Sequence, residues 1–355
     1  MLMKSLKKTF AKTLVAATLM LTGCSTPTDN RVNLITGYSN LDSYQVLTEY
    51  SAFSTLVESE STFVIVITNM SCSCTTTFLP ILRQFISENH VLVYTLELDA
   101  IRYQSEFYGL PITTGETPIL GIYEDGALAH YKSYITGNAT KNKPFTNYEA
   151  FAAWMEDRVI MPTIIYITKE ELDAKFASNE KFIVYYGSST CPDCAYISAT
   201  FLKDYVRAHV GMSTIYAIDR EAEGIRLKDG VYDAATYTAF KDNYGLSNVL
   251  NTTLGYATGF VPTLQYIEAN GNLPKDDMSV IKDMCVVYND QYDDAFQITR
   301  TYFDGTRPLQ YLENVDIDNI LGLSLEPTDD MHDAWAVYHE VFLNAFFDTY
   351  LPSVD

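Results

Sequence analysis

The sequence predicts an α/β protein made of two copies of one unit, each with a central mixed sheet flanked by helices. Three observations predict it. The first is an internal repeat: a β-branched and aromatic run (STFVIVIT, 61–68; KFIVYYG, 181–187) leads in each half into a cysteine pair and then an amphipathic pattern. The second is a further apolar run in each half (HVLVYTLELDA, 90–100; STIYAIDRE, 213–221), so strand, helix and strand follow at βαβ spacing, which argues parallel pairing. The third is a strand opened by proline (TPIL, 117–120; VPTL, 261–264) and followed by Asp125-Gly126 or Asn270-Gly271, dipeptides that suit a hairpin turn.

Composition agrees with two packed domains. The chain has 355 residues, 47% hydrophobic and 19% charged, with 17 Gly, 12 Pro and 6 Cys. Such a chain is neither disordered nor collagen-like nor held by a dense disulfide framework. A formal charge of −21, with 24 Lys and Arg against 45 Asp and Glu, excludes a nucleic-acid footprint and disfavours docking on anionic lipid. The 27 tyrosines suit half-buried strands.

In chain order, Lys4, Lys7, Lys8 and Lys12 precede an apolar run, TLVAATLMLT (13–22), too short to span a bilayer. It ends in Leu21-Thr22-Gly23-Cys24, which resembles a bacterial lipobox. The resemblance implies that residues 1–23 are a removed signal peptide, that Cys24 is lipidated, and that the protein sits on the extracytoplasmic face of a bacterial cell membrane. A plain secretory signal is the alternative, and it also sends the chain out of the cytoplasm. Residues 24–40 are polar and turn-rich and read as a tether. The first domain is expected over 41–160 and closes on Tyr148, Phe151, Trp154 and Met155 at helical spacing. The second is expected over 161–355, closing on Trp335, Tyr338, Val341, Phe342, Ala345 and Phe346. It is longer, with a helical insertion at 221–258 and an irregular extension at 274–328.

The order of elements, with cysteines at the first strand-to-helix junction, resembles the thioredoxin fold, from about residue 50 to 157 and again from about 165 to 350. The second copy is similar to bacteriocin transport accessory proteins through Tyr185-Tyr186-Gly187, Thr190-Cys191-Pro192-Asp193-Cys194 and Val261-Pro262-Thr263. The resemblance implies tandem thioredoxin-like domains.

Thiol chemistry fits these residues. A thiolate attacks a disulfide, so the working cysteine needs access and a lowered pKa. Cys191 is expected at a helix start, where unpaired N–H groups and the dipole favour the anion. Pro192 suits the first helical turn. Cys194 lies one turn on, placed to resolve a mixed disulfide, while the charge of Asp193 should moderate the redox poise. A structural disulfide or a zinc site are the other readings of Cys-x-x-Cys; zinc needs two more ligands, and none stands nearby. In the thioredoxin fold the proline matching Pro262 is cis and faces the cysteines, so Val261 and Pro262 are expected to bind an extended substrate by strand pairing. The plainer reading of Pro262 is a proline that starts a strand. The chain departs from thioredoxins at Tyr185, where they carry a buried acid, and at Thr190, where a Trp is usual.

In the first copy Cys72 aligns with Cys191, Thr75 with Cys194, and Pro80 with a helix proline of thioredoxins. Cys74 falls one residue early. A Cys72–Cys74 bridge closes a small strained ring, which is more reducible, and Thr117-Pro118 is a second candidate cis-proline site. An active pair and a degenerate binding domain both remain open, as does Cu(I) held by Met70, Cys72 and Cys74. Cys285, in DMCVVY, reads as a buried strand residue. The five histidines are scattered, and no hydrolase or nucleotide motif is present.

The sequence thus predicts an anchored thiol–disulfide oxidoreductase with no cofactor beyond its redox-active disulfide and no metal. Its partners would be exported proteins bearing thiols or disulfides, a redox partner of unknown identity, and the membrane through its anchor. The competing reading is a non-catalytic surface module with degenerate domains that binds a peptide or protein partner.

Overall fold

A computed structural model of the chain describes residues 30–112, 116–191, 194–195, 198, 202–225, 233–246, 261–290, 295–303, 308–310, 344 and 346–351, with side chains omitted at 285–290, 295–303 and 308–310. Lys4 to Cys24, Pro192, Asp193 and Trp335 to Phe342 lie outside these residues, as does Ala345.

Its elements run β1 (Val32–Asn33), β2 (Thr36–Tyr38), β3 (Gln45–Leu47), α1 (Tyr50–Glu58), β4 (Phe63–Thr68), α2 (Ser73–Asn89), β5 (Val93–Glu97), α3 (Leu98–Ile101), β6 (Ile119–Glu124), β7 (Ala127–Ser133), α4 (Tyr148–Glu156), β8 (Val159–Ile160), β9 (Ile164–Tyr166), α5 (Lys169–Phe176), β10 (Lys181–Gly187), α6 (Lys203–Ala208), β11 (Ile215–Asp219), α7 (Ala234–Asn243), β12 (Thr263–Glu268), β13 (Ile281–Asp290), β14 (Ala295–Phe303) and β15 (Pro308–Gln310). They form two tandem thioredoxin-like domains. The first sheet has the order β3-β5-β4-β6-β7, and the second β15-β14-β13-β12-β10-β11-β9-β2. In both, the cysteine-bearing strand pairs parallel with the next strand and antiparallel with the proline-led one.

Burial explains why these runs become strands. All six residues of β4 are buried, and six of the seven in β10. Continuous apolar runs of this kind belong to sheets covered on both faces. Helix α2 buries Phe78, Leu79, Leu82, Phe85 and Ile86 along one stripe. There Phe78 meets Phe145 and Phe151 edge-on at 5.2 and 5.1 Å. The Asp125-Gly126 turn forms as expected: φ is +48° and +76° at its two central residues, as a two-residue hairpin loop requires.

Three expectations change. Residues 32–38, read as tether, are strands: β1 pairs parallel with β8, and β2 pairs parallel with β9 at the edge of the second sheet. The reason is an apolar set, Val32, Leu34 and Ile35, sparse in sequence yet buried in the fold. Asn270-Gly271 does not make a tight hairpin. The Gly271 N–H bonds instead to Phe176 O at the end of α5, and the chain runs on to 280, where Val280 is buried, before β13 begins. The extension after 274 is regular where described, since β13, β14 and β15 continue the sheet antiparallel. Cys285 lies on β13. Within the insertion, α7 buries Phe240 against Tyr186 and Tyr244.

The hairpin turn of the first domain touches the second. The Asp125 carboxylate meets Lys203 Nζ and Arg207 Nη2 of α6, both at 2.9 Å.

Candidate active site

Both domains present sulfur where the cysteine-bearing strand gives way to a helix. In the second domain the Cys191 carbonyl accepts the Ala195 N–H at 3.0 Å, the first i to i+4 bond of the helix. Cys191 therefore stands at the start of this helical turn, half-buried. Cys194 lies one turn on and is 3% exposed. Both are thiols. The Val261–Pro262 bond is cis, and Val261 O lies 3.5 Å from Cys191 Sγ. The residues singled out in sequence thus meet at one point: Cys191, Cys194, Val261 and Pro262.

The buried thiol is hard to ionise. A hydrogen bond to Cys191, then burial, then the Cys191 charge hold Cys194 far above the usual thiol range, with a smaller opposing effect from Tyr185. Two of the three raising causes come from Cys191 itself, so they vanish once Cys191 is tied up in a mixed disulfide. Cys191 is thus the more accessible thiol of the pair and Cys194 the buried one.

In the first domain Cys72 is the N-cap of α2, and its Sγ accepts the Cys74 N–H at 3.2 Å. Cys72 and Cys74 are disulfide-bonded. The Thr117–Pro118 bond is also cis. Cys74 Sγ contacts Thr117 O at 2.8 Å and Cys72 Sγ lies 4.0 Å from it. Thr75 fills the place that Cys194 takes in the other domain. It is fully buried, and its hydroxyl accepts the Asn69 N–H at 3.2 Å. Met70 beside the disulfide is 57% exposed. Holding Cu(I) there would require the two sulfurs to be reduced to thiolates. Among the described residues no group of three or more His, Cys, Asp or Glu side chains could hold a metal ion.

Sequence reading missed the surroundings of Cys194. A cavity of about 230 Å³ lies against it, lined by Tyr38, Tyr166, Tyr185, Ser198, Asp219 and Glu223 among others. Tyr38 comes from β2, so a segment preceding the first domain helps wall the site of the second. Its ring stacks on Tyr166 at 5.3 Å. Tyr185 is 1% exposed, and burial followed by the nearby Cys194 charge lifts its phenol well above the ordinary range.

Acids hold the loop before Cys191. Glu221 Oε1 accepts Ser188 Oγ at 2.6 Å and Thr190 Oγ1 at 2.8 Å. Asp219 Oδ1 accepts the Ser189 N–H at 3.2 Å and the Glu221 N–H at 3.0 Å. Burial raises the Glu221 carboxyl, but hydrogen bonds, those from the Ser188 and Thr190 hydroxyls among them, outweigh it, and the group titrates below the usual carboxylate range. The one sequence signal for these acids was the Asp that ends the second strand of the repeat.

No family model matches the chain, and no curated protein does. Solved structures do. Human ERp44 matches at 11% identity and TM-score 0.35, over 65% of this chain and 50% of its own length. A chain from a study of the thiol-resolving mechanism of yeast mitochondrial 1-Cys peroxiredoxin matches at 17% and 0.24, over 33% of this chain and 97% of its own. A thioredoxin of Halobacterium salinarum matches at 13% and 0.23, over 30% and 94%. This chain spans about half of ERp44 and nearly all of the two single-domain chains.

Proposed function

We propose that the protein is an extracytoplasmic thiol–disulfide oxidoreductase, anchored to a bacterial membrane through Cys24 and acting on disulfides of exported proteins. One observation carries the reading: an accessible thiol at a helix start, backed by a buried thiol one turn on, faces the carbonyl that precedes a cis proline. Cys191 as thiolate attacks one sulfur of a client disulfide. That S–S bond breaks, the other client sulfur leaves as thiolate and takes a proton, and Cys191 is left in a mixed disulfide. Cys194 then loses its proton and attacks Cys191 Sγ. The second client sulfur departs, two electrons have passed to the client, and Cys191 and Cys194 are joined. A dithiol reductant returns the pair to its starting state; with oxidised pair and reduced client the same steps run backwards. Val261 offers backbone groups to an extended client segment.

The first domain enters as a second site of the same class, resting as the Cys72–Cys74 disulfide with Thr117 and Pro118 beside it. Reduction of insulin disulfides tests the proposal. Activity should vanish in Cys191→Ser, and full activity in that variant would leave only the binding-module reading. Cys72→Ser in the same assay measures the share of the first domain. Labelling with radioactive palmitate, lost in Cys24→Ala, tests the anchor.

A further inference from the structure

The strand position from which an acid would serve the buried thiol holds Tyr185, a phenol too weakly acidic in this setting to take a proton from a thiol as a base must. The chain nevertheless brings a carboxylate to the same cavity from another direction. Asp219 ends β11, pairs in register with Gly187 at the end of β10, and lines the cavity that also reaches Cys194. Two backbone N–H groups, of Ser189 and Glu221, fix its Oδ1. Glu221 follows two residues on and is 9% exposed, its Oε2 meeting no donor among the described residues.

We propose that Asp219 is the general base for Cys194, taking up the thiol proton across the cavity as Cys194 attacks the mixed disulfide. The assignment rests on the thiol-exchange reading above. The step balances: the Cys194 S–H bond breaks, its electron pair forms the bond to Cys191 Sγ, the client thiolate leaves, and the proton rests on Asp219 before passing to the leaving thiolate or solvent. A cavity of about 230 Å³ whose lining includes serine hydroxyls and tyrosine phenols has room for several waters of roughly 30 Å³ each to carry that proton.

The groups facing Asp219 fit this role. Glu221 and Glu223 follow it in the chain, and Glu223 Oε2 is occupied by the Lys169 N–H at 2.9 Å. Tyr38 on β2, Tyr166 on β9 and Tyr185 on β10 supply further walls, and Cys194 lines the cavity with them. Burial raises Tyr166, and the charges of Tyr38, Asp219 and Cys194 add to it. Tyr166 thus lines the same cavity as a neutral phenol that does not compete for the proton. Arg220, next in the chain, donates its Nη1 to the Tyr237 hydroxyl at 2.9 Å.

The test uses an aromatic disulfide, dithiobis(nitrobenzoate), whose two thiolates are released one after the other and absorb visibly. The first release reports attack by Cys191 and the second, resolution by Cys194. In Asp219→Asn the first release should still occur while the second slows on the order of 10²-fold. Added formate should restore part of the second release in Asp219→Ala. Glu156→Gln, at the end of α4 in the first domain, should leave the second release as in the unsubstituted protein. A second release of unchanged rate in Asp219→Asn overturns the assignment alone. Absence of the first release from the unsubstituted protein overturns the thiol-exchange reading and the assignment with it. Should the Asp219 variants fail to fold, the unsubstituted protein still decides: its second release must run slower in deuterium oxide than in water because a proton moves in that step, and equal rates in the two solvents overturn the assignment.

Discussion

The two domains repeat one frame yet hold their sulfur differently. Val66 and Tyr185 sit six residues before the first cysteine, Thr75 and Cys194 three after it, and all four are buried. Glu97 pairs with Thr68 as Asp219 does with Gly187. Both acids catch the N–H two residues before the first cysteine: Glu97 takes that of Met70 at 3.2 Å, and Asp219 that of Ser189 at 3.2 Å. The loop-holding acid is therefore common to both. What differs is what lies behind the helix start, where the first domain has valine and a hydrogen-bonded threonine and the second has a phenol, a thiol and a cavity. The lesson is that cysteine spacing decides the site. Three residues apart, the second sulfur drops one turn into the interior. Two apart, with the first at an N-cap outside helical φ and ψ, it stays near the surface beside its partner.

The sharpest way to break this contrast is to trap the chemistry. Cys194→Ala should leave Cys191 unable to resolve, so covalent client adducts should accumulate on non-reducing gels from near none to most of the protein. Thr75→Val, at the matching place, should trap nothing; adducts there would show that the first domain turns over through the Thr75 position.

A stability series comes next. Phe78→Ala in the first core and Phe182→Ala in the second should each cost about 3–5 kcal/mol, because both rings are buried among other rings. Urea unfolding of the two variants would show whether the domains unfold together. If they do, both variants shift the same single transition.

Thr75→Val should cost about 1–3 kcal/mol by leaving the Asn69 N–H without its acceptor. Tyr185→Phe should cost less, and its effect should fall on the second-domain chemistry rather than on the urea midpoint.

The smallest effect concerns the contact between domains. Burial raises the Asp125 carboxyl, but hydrogen bonds and charges from Lys203 and Arg207 outweigh this and hold it below the usual carboxylate range. Its folded pKa is thus depressed, so the stabilisation is present above the unfolded value and fades as pH falls through the folded one. Asp125→Asn should cost about 0.2–1 kcal/mol at neutral pH, less in high salt and nothing in strong acid. A loss that persists at low pH would mean that Asp125 acts through its turn geometry and not through its charge.

The sequence by itself determined the repeat, the order of the elements that frame each cysteine site, the Asp125-Gly126 turn and the spacing of Cys191 and Cys194, while Val261 and Pro262 were reached through the resemblance to the thioredoxin fold. The first four are written in local patterns: a period of two or of 3.6, a dipeptide with positive φ, a spacing of three between cysteines. The tertiary structure alone decided that residues 36–38 edge the second sheet, that Tyr38 and Tyr166 stack in the wall beyond Cys194, and that Asp219 shares a cavity with that thiol. These partners stand from about 25 to more than 150 residues apart. Strand pairing joins them through backbone groups that every residue carries, so no side-chain pattern announces which edge a short strand will choose.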